Sequence, residues 1–419
     1  MKSRIESTKK LIVNNKKVIE NYFFMTVLQV LNSLFYLIIY PFLIRVLGPD
    51  SYGLYVFALS FVGYFLCFIG FGFDMPALKL ISQNSTNSEI KSHTLSCVFT
   101  SKIYLEIISL IIFSIIVIEV PMFHKNWLIF FLCFAQTIVN IIFPQWYFQG
   151  MQKMRIVTFI QLGFKLLSLP FIFYFVRSVH DVVIFTLIST IASLAGGGVA
   201  FLDILVIEKL KIKWIPFSDL KIWFKDAFPF FLSSSAGIIK EQSVTIIIGS
   251  FLGMREVAIY DLANKIIIVP RTLLVSINGA LFPKIMANFR IDVVKKVINY
   301  QIAIGLFVVL CIAVFGKWIV HFMGGVAMND SYPISVILSI TILSWIVVGA
   351  FINFVFVPNN KYYYVSKNQL VAFISFFIYC SIGLFFRKDA LVLAVALSLS
   401  GLTEILFCKY VVTKEKLLS

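Results

Sequence analysis

The sequence predicts an all-α integral membrane protein of about twelve transmembrane helices, arranged as two six-helix bundles related by an internal pseudo-two-fold repeat. Three observations predict it. Hydrophobic residues make up 60% of the chain and charged residues only 13%, more apolar surface than a water-soluble core can hide. The apolar residues fall into runs long enough to cross a bilayer, joined by short polar turns. Finally, Leu47-Gly48-Pro49-Asp50-Ser51-Tyr52-Gly53-Leu54-Tyr55 returns 205 positions later as Leu252-Gly253-Met254-Arg255-Glu256-Val257-Ala258-Ile259-Tyr260, close to half of the 419 residues. A half-length repeat in a membrane chain points to a two-lobed transporter.

In order, the spans are expected near residues 20–46, 52–80, 94–118, 126–149, 154–177, 182–207, 226–251, 256–284, 297–322, 331–357, 363–386 and 390–411. Gly48 and Pro49 are turn formers and make the first two spans a hairpin. Grouped by halves, the chain reads as an N-terminal segment (1–19), a first bundle (20–208), a linker (209–225), a second bundle (226–411) and a tail (412–419). The charged N-terminal segment has no small-residue cleavage site behind a short apolar core, so it is expected to be retained. With that segment on the cytoplasmic side, 25 of the 36 Lys and Arg fall in cytoplasmic segments, seven on the opposite face and four inside spans. That bias favours both termini in the cytoplasm of a cell inner membrane.

The net charge of +16 is spread in small clusters between spans, which is a topology signal and not a nucleic-acid surface. All six cysteines lie in or beside apolar runs without CxxC spacing, so neither disulfides nor metal sites are expected. The four histidines are scattered, no nucleophile–base pair or phosphate-cradling glycine motif occurs, and the first outer loop is only a few residues long. These features argue against an enzyme and imply no cofactor. A membrane glycosyltransferase or polymerase is the least favoured alternative.

Polar groups inside spans must face protein or water. The first span carries Gln29, Asn32, Ser33, Tyr36 and Tyr40 at helical spacing; the fourth carries Gln136, Asn140, Pro144 and Tyr147; the tenth carries Ser335, Ser339, Gly349 and Asn353. Close helix packing is the plain alternative for any one stripe. Several together favour a shared aqueous cavity. In the eighth span Asp261, Lys265, Thr272 and Ser276 fall within about 60°, and Asn264, Arg271 and Asn278 widen the arc to about 160°. Pro270 should kink that span. The seventh span adds Lys240 and Glu241, whose directions differ by about 100° and so cannot pair simply. The fifth adds Lys165, with Gln161 and Ser168 on its face. Four basic residues at depth, Lys165, Lys240, Lys265 and Arg271, suit an anionic cargo. Glu106, Glu241, Asp261 and Glu404 are candidates for coupling transport to an ion, although Asp261 and Lys265 at i and i+4 would also simply neutralise each other.

The segments RVLGPDSYGLY, FGFDMPA, PQWYFQGMQKM, FLGMREVAIYDLANKI and LFPKIM, in this order, resemble polysaccharide export proteins, the O-antigen and lipid-linked oligosaccharide flippases. The likeness runs over nearly the whole chain. It implies the fold of the multidrug/oligosaccharidyl-lipid/polysaccharide exporter superfamily, two six-helix bundles forming a V around a central cavity. The implied function is outward flipping of an undecaprenyl-pyrophosphate-linked oligosaccharide by alternating access. Lys165, Lys240, Lys265 and Arg271 would hold the pyrophosphate, and Gln29, Asn32, Tyr36, Asn140, Asn264, Thr272 and Asn278 would line the cavity. Implied partners are the lipid-linked substrate, the bilayer and other membrane proteins of polysaccharide assembly. An ion-coupled multidrug or small-molecule antiporter of the same fold is the competing class.

Overall fold

The computed structural model describes residues 2–287, 290–359 and 361–418. Side chains of residues 1–19, 22, 33, 275–277 and 279–289 lie outside the description, and with them those of the N-terminal segment, Ser33, Ser276 and the LFPKIM motif. Every regular element described is helical. Lipid dictates this, since a helix satisfies its own backbone groups where no water can.

The helix Lys2–Gly70 is broken at Gly48 (φ 71°, ψ 165°) into α1 (2–47) and α2 (49–70). There follow α3 (Asp74–Gln83), α4 (Ser88–Glu119), α5 (Trp127–Ala135), α6 (Ile138–Ile142), α7 (Gln145–Gly150), α8 (Met154–Phe175) and α9 (Val182–Leu202). Then come α10 (Phe217–Phe251), which begins within the expected linker, α11 (Met254–Ala287), α12 (Ile291–Gly324), α13 (Ser331–Phe351), α14 (Tyr362–Phe386) and α15 (Ala390–Lys414). Among the described residues, nine helical stretches are long and apolar enough to span a membrane, with Phe23–Gly70 counted once. Splitting that stretch at Gly48 and adding α10 and α11 makes twelve. These two carry the charges noted above, Lys240 and Glu241 in α10 and Asp261, Lys265 and Arg271 in α11.

The chain forms two compact units, Met1–Asn32 with Phe61–Ser235, and Ser33–Ser60 with Ala236–Ser419. The first hairpin turn therefore clusters with the second half. Its repeat partner is there too: Gly253, like Gly48, has a positive φ (107° and 71°), a region that favours glycine. The two turns touch, and a Cβ on Gly53 would lie 1.8 Å from the Met254 carbonyl oxygen, so only glycine fits.

In the first unit Phe73, Ala77, Trp146, Tyr147, Met154, Ala200 and Leu210 form the core. Asn87 caps α4, its Oδ1 accepting from the amides of Glu89 (3.0 Å) and Ile90 (3.1 Å). The extended start of the linker lies along α4. Backbone amides of Lys211, Lys213 and Ile215 donate to Ser92, Ser96 and Thr100 at 3.3, 3.0 and 3.4 Å. The match is geometric, since two strand residues rise about 6.6 Å and four helix residues about 6 Å. In the second unit Val347, Phe351, Phe354, Ile405 and Cys408 build the core around α13.

Candidate functional site

Within the second unit, α1, α2, α10, α11, α13 and α15 line a cavity of about 290 Å³. Its charged lining residues are Lys240, Lys265 and Arg271 with Glu241, Asp261 and Glu404, three of each sign. All six stand out in the sequence, but of their pairings only Asp261 with Lys265 was expected from it. Lys240 donates to Glu404 Oε1 at 2.9 Å, and Asn368 on α14 donates to Oε2 at 3.3 Å. Arg271 Nη1 donates to Glu241 Oε1 at 3.3 Å. Lys265 Nζ lies 3.7 Å from Asp261 Oδ1, and Tyr52 donates to Asp261 Oδ2 at 3.0 Å. Lys240 and Glu241, adjacent on α10, thus reach different helices, as their differing directions require.

The pairs differ in exposure. Lys240 and Glu404 are both nearly enclosed, at 13% and 12%, whereas Glu241 is 43% exposed. Arg271 also sits over the Trp345 ring, 4.4 Å from its centroid, and Lys265 over Tyr36 at 4.3 Å. The site is therefore a balanced lattice of ion pairs backed by aromatic faces. Of its cations, Arg271 has the partner most open to exchange with an incoming anion.

The other expected residues divide between packing and lining. Asn264 lines the cavity. Thr272 donates to the Ile268 carbonyl of its own helix at 2.8 Å. Asn278, 2% exposed, donates to the Ile346 carbonyl at 3.3 Å and accepts from Gln301, joining α11 to α12 and α13. Ser335 and Ser339 are fully buried and bond backbone carbonyls of α13, so the tenth-span stripe serves packing. The cavity face of α13 is instead Leu338, Thr341, Ser344 and Trp345. Tyr52 and Trp345 escaped sequence reading, because aromatic residues in a span also read as lipid-facing or core.

Gln29, Asn32, Lys165, Asn140 and Glu106 belong to the first unit. Lys165 donates to Asn32 Oδ1 at 2.7 Å. Glu106 accepts from Thr137 at 2.6 Å, and its Oε2 is buried without a partner among the described residues. Lys102, only 2% exposed, donates to Asp74 Oδ1 (2.9 Å), Asn140 Oδ1 (2.6 Å) and the Asn140 carbonyl (3.2 Å). The sequence suggested neither this cluster nor its closure across α3, α4 and α6.

Residues 18–289 match the polysaccharide biosynthesis protein family. Two relatives, both described as "Putative O-antigen transporter", come from Escherichia coli (strain K12) and Shigella dysenteriae. The first is 28% identical over 285 residues, covering 68% of this chain and 69% of the relative. The second is 23% identical over 287 residues, covering 66% and 69%. Among solved structures, an inward-facing multidrug resistance transporter of the MATE family, in the MOP superfamily, aligns with TM-score 0.65 at 11% identity, over 93% of this chain and 99% of that one. The lipid II flippase MurJ, inward closed, aligns with TM-score 0.59 at 15% identity, over 96% and 87%. At such identities the likeness shows a common fold.

Proposed function

The chain belongs to the polysaccharide biosynthesis protein family, and on that premise we propose that it flips undecaprenyl-pyrophosphate-linked oligosaccharide from the cytoplasmic to the outer leaflet by alternating access. The observation that carries the reading is the charged cavity within the second unit. Each sugar hydroxyl and phosphate oxygen taken into hydrocarbon without a partner costs several kcal/mol (~2–7 for a hydroxyl), so unassisted flipping is negligible. Arg271, Lys265 and Lys240 offer the pyrophosphate replacement donors, and Arg271 can grip it bidentately. The polyprenyl tail stays in lipid throughout.

The cavity's neutrality gives the process its form. An arriving diphosphate displaces carboxylates from the cations, beginning with Glu241, and the freed carboxylates become available to bind a proton or Na⁺. Glu241, Asp261 and Glu404 are the coupling candidates in this unit, and Glu106 is the candidate in the other.

The same carboxylates favour one second reading, an ion-coupled exporter of small cations. Proteoliposomes separate the two. Under the flippase reading, purified protein exposes fluorescent lipid-linked oligosaccharide to an impermeant quencher and leaves a cationic dye untouched; dye efflux without lipid flipping overturns it. The topology within this proposal is checked by single-cysteine labelling, expected to be cytoplasmic near Lys213 and Lys361 and external near Lys125 and Lys388. External labelling near Lys213 breaks the twelve-span arrangement.

A further inference from the structure

The first unit holds a second polar cavity, of about 260 Å³, where the fourth span is broken into α5, α6 and α7. Its polar lining is Asp74, Lys102, Gln136, Asn140, Gln145 and Gln161. We propose that this cavity is a saccharide subsite, which takes a neutral sugar residue of the lipid-linked cargo by hydrogen bonds from carboxamides. The inference rests on the flippase reading and deepens it, since it assigns the sugar and the diphosphate to different groups of residues.

The chemistry of the lining selects the ligand. Lys102 is its one cation and is 2% exposed, with three acceptors already around its ammonium. No donor remains there for a phosphate, and the Asp74 carboxylate beside it repels one. A cationic solute fares little better, because Lys102 neutralises Asp74 at 2.9 Å. What remains unused is neutral hydrogen-bonding capacity. Lys102 holds Asn140 by its oxygen, which leaves the amide NH₂ to donate. Gln136 donates to Thr190 at 3.1 Å and keeps its own oxygen. The side chains of Gln145, exposed, and Gln161, half-buried, make no hydrogen bond among the described residues. Trp146, 4% exposed, also lines the cavity, and its indole N–H is buried without a partner among the described residues.

Orphan donors and acceptors in a membrane span are costly unless something polar meets them. Donors and acceptors on carboxamides match the vicinal hydroxyls of a sugar, which both donate and accept. The break in the helix is consistent with a binding role, since interrupted spans expose backbone polar groups only where a cavity receives them.

The test uses full-length protein in nanodiscs and two probes. One is undecaprenyl diphosphate; the other is undecaprenyl diphosphate bearing the repeat unit, extracted from the cells that make it. Wild type is expected to bind the sugar-bearing lipid more tightly. Gln145→Ala and Gln161→Ala should each weaken that lipid by about fivefold to tenfold, the loss of one hydrogen bond, with the sugarless lipid unchanged. Equal affinity of wild type for both lipids, or equal weakening of both by the variants, overturns the subsite and leaves the flippase reading standing. Free repeat-unit oligosaccharide, released by mild acid and followed by saturation-transfer NMR, reports on the subsite even if the protein flips nothing. Signal from wild type that falls in both variants supports the subsite; its absence, or no change in the variants, overturns it.

Discussion

Removing the ammonium of Lys240 separates a structural ion pair from a substrate contact. Lys240 and Glu404 lie 2.9 Å apart, each about an eighth exposed. At an effective dielectric near 20 their attraction is ~6 kcal/mol, most of it offset by the loss of hydration. Taking away one partner leaves the other enclosed and unpaired, which costs about 3–5 kcal/mol. Lys240→Met leaves Glu404 with only the 3.3 Å hydrogen bond from Asn368. Glu404→Gln leaves the ammonium facing a neutral amide. In the double variant no charge is stranded, so its stability should return to within about 1 kcal/mol of wild type. Unfolding by SDS in mixed micelles, followed by tryptophan fluorescence, gives the four corners of the cycle. The expected coupling is about 3 kcal/mol or more. A coupling below about 1 kcal/mol, typical of exposed pairs, refutes the claim that this pair holds α10 to α15.

Arg271 should behave differently, because its partner Glu241 is 43% exposed and can turn to water. Arg271→Ala is expected to insert normally yet weaken undecaprenyl diphosphate binding by about tenfold to a hundredfold, the worth of charged hydrogen bonds. Arg271→Lys should keep part of the affinity, since charge survives and the bidentate fork does not; wild-type affinity in the Ala variant removes Arg271 from the site. At the C-terminal end, Glu415 accepts from Lys361 at 2.6 Å and Tyr364 at 2.8 Å. The Lys361 hydrogen bond, with that from Tyr364, holds the Glu415 carboxyl below its ordinary 4.5, and Glu415 holds Lys361 above its ordinary 10.5. The tether is thus fully present between those ordinary values, is lost as pH falls through the lowered Glu415 value and is lost again as pH rises through the raised Lys361 value. Hydrogen-exchange protection of residues 412–418, corrected for the intrinsic pH dependence of exchange, should hold at neutral pH, fall only as pH drops below the ordinary Glu415 value of 4.5, and be low throughout in Glu415→Gln; protection in wild type that does not change across that range contradicts the tether.

Much of the fold was legible because lipid leaves few choices. Run length and turn chemistry located the spans, and the half-length repeat marked two turns that share an uncommon backbone conformation at Gly48 and Gly253. Charge at depth also stood out, since Lys240, Glu241, Asp261, Lys265, Arg271 and Glu404 are conspicuous where charge is expensive. Their partners did not. Only Asp261 and Lys265 are one turn apart, whereas Lys240 on α10 and Glu404 on α15 are separated by 164 positions and are brought together only by the fold. The serine stripe of α13 misled for a related reason. A hydroxyl that bonds its own helix needs no water, so polarity at helical spacing does not by itself mark a cavity.

The pairing explains how such a cavity can be folded before any cargo arrives. Three unpartnered cations at this depth would each carry a desolvation cost of several kcal/mol, more than a marginally stable fold tolerates. Under the proposed function, carboxylates supplied by the chain stand where the cargo's phosphate oxygens would go, so the charge balance is the same with and without cargo. Binding is then an exchange of one anion for another, with a small net energy in either direction. A carrier requires that balance, because cargo held too tightly is not released. The proposed sugar contacts on neutral carboxamides near Asn140 would follow the same logic, since such bonds are worth about 1 kcal/mol each and can be made and broken in turn.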